Sequence, residues 1–212
     1  MARLSLDRSS FDAVSVDVDG TLYDIRLQRA FLLPYLLRHP LLLPAYPGVV
    51  ASVRGERHED MRAELARRLG EKVGANPDRA RQVIDQVVHG ALPSTLGPHS
   101  RMRGLTSALV ALDRLGIPRG VLSDYPAERK LHNMDLAEGW ACQICCEDLG
   151  ALKPLPDGLI AAAEAMGVAP SRVLHIGDRP DTDGEMAAAA GATCLILGRD
   201  FRRWSELEAA MS

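Results

Sequence analysis

The stretch Ala13-Val14-Ser15-Val16-Asp17-Val18-Asp19-Gly20-Thr21-Leu22 decides the fold. Its first four residues are small or β-branched and suit a strand, which the polar Asp-Val-Asp-Gly-Thr turn then stops. Three later segments share that design. Gly120-Val121-Leu122-Ser123 stops at Ser123-Asp124, Arg172-Val173-Leu174-His175-Ile176 at Gly177-Asp178, and Thr193-Cys194-Leu195-Ile196-Leu197 at Gly198. Helical patterns lie between them. Arg101 to Leu115 has apolar residues at helical spacing and ends at Gly116, while Leu159 to Met166 follows Pro156 and Asp157 and stops at Gly167. Proline at the start and glycine just past the end is the ordinary asymmetry of a helix. Alternation of this kind predicts right-handed crossovers and a parallel sheet covered on both faces.

Residues 25–96 break the rhythm. They contain no convincing strand but helical stretches at Leu27 to Leu37, Glu56 to Leu69 and Pro77 to Val88, and they return through the Pro/Gly-rich Leu92-Pro93-Ser94-Thr95-Leu96-Gly97-Pro98. The expected architecture is therefore α/β: a Rossmann-like, doubly wound parallel sheet formed by residues 1–24 and 97–212, with an α-helical subdomain, 25–96, inserted after the first strand.

Composition narrows the function classes. The chain has 212 residues, 47% hydrophobic and 25% charged, which is enough for a full core and excludes disordered and fibrous classes. A net charge of −3 supplies no basic surplus for nucleic acid or anionic lipid. Met1 to Ser10 lacks the apolar core of a signal peptide, so no export is expected. Phe31 to Val50 is apolar, yet it holds Arg38, His39 and four prolines, unlike a membrane span. The cysteine run Cys142-Gln143-Ile144-Cys145-Cys146 has no second ligand cluster at zinc spacing and has the character of a buried strand, which points to reduced, structural thiols in a cytoplasmic protein.

In an open parallel sheet, ligands bind beyond the carboxyl ends of the strands, near the point where strand order reverses. Asp17, Asp19, Ser123, Asp178 and Asp183 should meet there from three strand ends, with Lys153 supplied by Gly150-Ala151-Leu152-Lys153-Pro154. Clustered carboxylates repel one another, so they hold either protons or a cation. An oxygen-only set favours magnesium, which retains waters and works with substrate phosphate.

Four ordered motifs, Asp17-Val18-Asp19-Gly20-Thr21-Leu22, Ser123, Lys153-Pro154, and Gly177-Asp178 with Asp183 five residues on, run through nearly the whole chain. The sequence resembles the haloacid dehalogenase superfamily, in particular its phosphoglycolate phosphatase-like branch with a helical cap after the first strand. The resemblance implies a Mg2+-dependent phosphomonoester hydrolase acting through an aspartyl-phosphate. Asp17 would be the nucleophile and Asp19 the general acid and then base. Ser123, Lys153, Gly20, Thr21 and the Asp124 backbone amide would serve the phosphate, with Thr21 also orienting Asp19. Asp178 would hold the metal together with Asp17 and the Asp19 carbonyl, and Asp183, rather than Asp181, would support the metal or Lys153.

Blander readings stand beside these. Asp17 and Asp19 could merely cap a turn, Lys153 could be a surface lysine and Ser123 a turn hydroxyl. His175 reads as a satisfied core histidine, and Arg54 to Arg68, interleaved with acids, as a solvated helix face. The Asp124 carboxylate would repel phosphate unless it turns away. Selection among small phosphorylated metabolites falls to the cap, with Tyr23, Arg26 and Arg29 as candidates. The apolar segment 31–50 is expected to bury mainly within the cap, or else against a second subunit or an apolar substrate moiety, so a monomer or homodimer is expected. A phosphomutase or phosphotransferase is the alternative within the same chemistry, and a binding or regulatory protein the alternative outside it. Dehalogenation is disfavoured, because halide departure needs no acid such as Asp19.

Overall fold

The structure is a computed structural model that describes Leu6, residues 8–26 and residues 30–211. Its centre is a five-stranded parallel sheet of β1 (Ala13–Val16), β2 (Arg119–Ser123), β3 (Cys142–Cys145), β4 (Val173–Gly177) and β5 (Thr193–Ile196), in the order β3-β2-β1-β4-β5. β1, β2 and β4 are buried throughout, as short runs covered on both faces must be. The chain builds outward from β1 on one side and then crosses to the other, so strand order reverses beside β1. Asp17, Ser123 and Asp178 all sit at the carboxyl edge around that reversal.

The helix Leu105–Arg114 and the C-terminal helix Trp204–Met211 pack together over one face, where Leu105, Leu109, Leu112, Trp204 and Leu207 are buried with Val14, Val16 and Val121. On the other face, Asp157–Ala165 brings Leu159, Ala162 and Ala163 against the sheet. The cysteine run departs from its reading as a buried strand. β3 is an edge strand of intermediate burial, with Gln143 exposed, because only β2 pairs with it. All four cysteines are free, and burial pushes the Cys145 thiol up to about 12.

Between β1 and β2 stands a helical layer. Met61–Val73 starts at Asp60, whose side chain accepts from the Ala63 amide at 2.8 Å, and ends at the left-handed Gly74. Its buried Met61, Leu65 and Leu69 recur every four residues. Leu42–Val53, which carries Pro44 and Pro47, is a helix beyond the stretches expected from the sequence. It forms because Pro44 falls in the first turn and because Leu42, Tyr46, Val49, Val50 and Val53 make one buried face. Pro77–Val83 continues into a wider π-helical turn, Ile84–Ala91.

The expected helix at Leu27 to Leu37 begins among residues outside those described and is seen as a 3-10 turn, Ala30–Leu32, leading into Leu33–Arg38. The apolar segment is divided: Leu42, Tyr46, Val49 and Val50 are buried, whereas Phe31, Leu33, Leu37 and Leu41 remain exposed. Among the described residues, no helix is long and apolar enough to cross a membrane.

Candidate active site

β1 ends by delivering Asp17, which is almost wholly buried. Its Oδ1 accepts from Lys153 Nζ at 2.5 Å and its Oδ2 from Thr21 Oγ1 at 2.9 Å. Thr21 thus orients Asp17, and the expectation that it orients Asp19 is corrected: its position four residues after Asp17 folds its hydroxyl back under the first carboxylate. Gly20 has φ +98°, and a Cβ there would lie 2.2 Å from Asp178 Oδ2, so only glycine lets the two loops meet.

One carboxylate oxygen from each of Asp17, Asp178 and Asp183 lies within 4.8 Å of the others. Burial, opposed by Lys153, raises Asp17 above the usual carboxylate range, with the neighbouring acids adding to the rise. Burial and Asp183 lift Asp178 to about 6. Burial alone would raise Asp183 too, but Lys153 and His175 hold it below the usual range, so the resistance to ionisation falls on Asp17 and Asp178, which a further cation would relieve. The all-oxygen donors, their mutual closeness and the glycine that permits it fit a hard divalent cation.

Asp183 has the most partners. Lys153 Nζ and His175 Nε2 approach its Oδ1 at 2.7 and 3.2 Å, and the Asp178 and Arg179 amides donate to its Oδ2 at 3.2 and 3.1 Å. With both oxygens taken, it acts as a brace for Lys153 and the Asp178 loop. Asp181 points elsewhere, exposed and paired with Arg179. His175 is the satisfied core histidine expected, bonded also to Ser15 Oγ at 3.1 Å, but its other partner is this brace. Burial opposes charge on Lys153, while Asp17 and Asp183 hold the ammonium well above the ordinary lysine range.

Asp19 faces another way. Lys130 Nζ grips both its oxygens at 2.7 and 2.6 Å, the Tyr23 hydroxyl donates to Oδ1, and Ser123 Oγ lies 3.4 Å from Oδ2. Burial alone would raise Asp19, but Lys130 and Tyr23 keep it below the usual range. Its side chain is therefore outside the metal-type group, and only its backbone carbonyl stays available in the role expected of it.

Lys130 was missed in the sequence. The signal was present: it lies on the same face of Glu128–Asn133 as the buried Ala127, Leu131 and Met134, where an unpaired lysine does not belong. Tyr23, expected to read substrate, instead reaches Asp19. Arg26 is exposed, and Arg29 lies outside the described residues.

The Asp124 carboxylate turns away from the site. It accepts from Arg54 Nη2 at 2.8 Å and from the Lys153 amide at 2.9 Å. Arg54 also donates to the Lys153 carbonyl, so the loop that carries the lysine is held from both ends. The reading of Arg54 to Arg68 as a solvated face is corrected accordingly. Arg67 and Arg68 do pair with Glu64 on their own helix, but Arg54, Arg57 and Arg62 cross to Asp124, Asp157 and Glu147 because the first turns of this segment lie against the sheet's edge loops. A second group, Cys145, Glu147 and Asp148, is also close-set, yet Arg62 already meets both its carboxylates at 2.7 and 3.0 Å.

A family profile described as a hydrolase, haloacid dehalogenase-like hydrolase, matches residues 11–191. The chain belongs to that family. The phosphoglycolate phosphatase of Escherichia coli (strain K12) is 32% identical over 101 residues, covering 46% of this chain and 40% of that protein, so the match spans less than half of the relative's length. Phosphoserine phosphatase from Thermus thermophilus is 29% identical over 148 residues, 66% of this chain and 56% of that one. Among solved structures, β-phosphoglucomutase from Clostridium difficile superposes with a TM-score of 0.69 at 14% identity, covering 89% of this chain and 85% of its own, a likeness of fold. Within this haloacid dehalogenase-like chain, the four motifs occupy the sheet edge described above.

Proposed function

We propose that the chain is a Mg2+-dependent phosphomonoester hydrolase acting on a small phosphorylated metabolite, with residues 25–96 as a cap over a core of 1–24 and 97–212. The observation that carries this reading is the meeting of Asp17, Asp178 and Asp183 within 4.8 Å, with Lys153 bound to two of them. Asp17, with the Asp19 backbone carbonyl and Asp178, would hold the ion, and Asp183 would brace them. When bound, the cation offsets the negative charge that otherwise keeps an anionic nucleophile from an anionic phosphate.

Asp17 is held by Thr21 and Lys153 with little rotational freedom, which favours in-line attack. An Asp17 Oδ–P bond forms as the bond from phosphorus to the ester oxygen breaks, and Asp19 gives that oxygen a proton. Water then attacks phosphorus, Asp19 takes a water proton, and the aspartyl oxygen leaves with inorganic phosphate as product. The carboxylate form of Asp19 that Lys130 favours is the one needed in the second half. An arriving phosphate dianion raises the affinity of Asp19 for the proton needed in the first. Lys153, Ser123 and the Gly20 and Asp124 amides would bind the phosphoryl oxygens. Free thiols suit a reducing, cytoplasmic setting.

The test is release of inorganic phosphate from p-nitrophenyl phosphate. Turnover with Mg2+ that EDTA abolishes and Mg2+ restores supports the reading. No release at saturating Mg2+ across a broad ester panel refutes it, and phosphate that stays on an organic product indicates transfer instead.

A further inference from the structure

Above Ser123, between the helical layer and the sheet, lies a cluster of polar groups without partners. Glu147 is wholly buried in its side chain; Oε2 accepts from Arg62, but Oε1 has no hydrogen bond. His89, on the π-helical turn, brings Nε2 within 3.4 Å of Glu147 Oε2 without forming a hydrogen bond. The buried Tyr46 hydroxyl approaches the Tyr125 side chain without a well-formed hydrogen bond. The Tyr125 ring joins them, centred 6.5 Å from that of Tyr46 and 5.9 Å from that of His89.

This cluster adjoins the chemistry. The Tyr125 amide donates to Ser123 Oγ at 3.3 Å, and the Tyr125 ring lies 5.9 Å from Lys130 Nζ, which itself holds Asp19. Tyr125 thereby links the cluster to the Ser123 and Asp19 end of the sheet edge. An unpaired buried polar atom costs a large fraction of a hydrogen bond, so several at one spot mark a place built to be completed.

The missing element is a donor. Burial disfavours the charged form of His89, and with the ring proton assigned to Nδ1, 3.4 Å from Asp85 Oδ1, a lone pair is left on Nε2. Nε2 and the Glu147 carboxylate thus face each other as acceptors. Burial, resisted by Arg62, also lifts Glu147 to about 7, as expected of a carboxylate short of donors. A substrate carboxylate placed here would meet a third acceptor, whereas hydroxyls would satisfy Nε2 and Oε1 and accept from Tyr46.

We infer that Tyr46, His89 and Glu147 form the subsite that reads the leaving group, and that this group is a polyol or sugar bearing hydroxyls near the ester and no second anion. The inference rests on the phosphatase reading and names the substrate class of the same site. π-helical turns occur often at functional positions, and this one carries His89 to the core.

The experiment compares kcat/KM of the full chain with Mg2+ on sorbitol 6-phosphate, glycolate 2-phosphate and p-nitrophenyl phosphate. Wild type should favour the polyol ester over the glycolate ester by about tenfold or more. Glu147→Gln should narrow that ratio by about tenfold, and Tyr46→Phe should lower the ratio of polyol to aryl ester by about fivefold. Preference for glycolate 2-phosphate, or variants that reduce all three esters by one factor, would overturn the subsite. If the aryl ester is not hydrolysed, the phosphatase reading fails by itself. Calorimetric titration of wild type with the two metabolite esters then decides the subsite: tighter sorbitol 6-phosphate supports it, and equal or inverted affinity refutes it.

Discussion

Two regions of this molecule are made of ion pairs, and they behave oppositely. At the floor of the site, Lys153, Asp17 and Asp183 have side chains 3%, 8% and 2% exposed. At the seam between helical layer and sheet, Arg57 and Asp157 are 61% and 30% exposed. The buried set was costly to desolvate and has few alternative arrangements, so it fixes geometry and is expensive to break. The Arg57–Asp157 pair is solvated and screened, so it holds two parts together while letting them separate. Under the proposed reading, in which substrate enters beneath a cap, both kinds are needed.

The strongest way to break this contrast is Asp17→Asn. It removes the proposed nucleophile but keeps the shape and one oxygen for Thr21 or Lys153. Turnover of p-nitrophenyl phosphate should fall by about 10⁴-fold or more, while circular dichroism stays that of wild type. Residual activity near the wild-type level would remove Asp17 from its role.

Lys130→Met comes next. It leaves Asp19 beside Tyr23 and Ser123 without its cation, in a pocket where Lys130 is 6% exposed and Asp19 23%. Because Asp19 keeps some contact with water, the loss should be about 2 kcal/mol, less than for a fully buried pair, or about 4–8 °C in Tm for a chain of this size. Alkyl phosphates, whose oxygen needs the proton, should lose more activity than aryl phosphates; equal losses would mean that Lys130 serves only the fold.

How much of this was readable in the sequence follows from the same contrast. Strand ends were legible because a buried strand stopped by Asp-Val-Asp-Gly-Thr or Gly-Asp admits few other interpretations, and those ends carry Asp17, Ser123 and Asp178. Gly20 was legible as a site residue serving the phosphate, but its close approach to Asp178 was not. Partners distant in sequence were not legible. Lys130 to Asp19 spans 111 positions and Arg54 to Asp124 spans 70, and no local pattern encodes which lysine or arginine arrives. The helix Leu42–Val53 was hidden by its prolines, since tertiary burial of one face outweighed local propensity. Thr21 was given to the wrong aspartate because one turn's hydroxyl can reach either.

The helical layer's own charges give a pH test. On Met61–Val73, the Arg67 hydrogen bond, against some burial and with help from Arg68, lowers Glu64 to about 2 from the ordinary 4.5. A depressed carboxyl contributes stability above its unfolded value and loses it as pH falls through the folded one, so the contribution should disappear between about pH 4.5 and 2. Screening by water limits it to about 1 kcal/mol. Wild type should melt a few degrees above Glu64→Gln near pH 6 and level with it near pH 2. A gap that stays constant would mean that the charge contributes nothing.

The smallest effect belongs to the seam. Arg57 donates to Asp157 through Nε at 2.9 Å and Nη2 at 2.8 Å, a two-pronged geometry that looks strong in isolation. Both groups are well hydrated when apart, and the long arginine must give up rotamers to make the pair, so Arg57→Ala should lower Tm by only about 1–2 °C. If the pair acts as a releasable fastening, the variant should open more readily, seen as faster proteolysis between residues 54 and 60 and a greater salt-independence of that rate than in wild type. A destabilisation as large as that of Lys130→Met would place Arg57 with the buried set and erase the distinction between floor and seam.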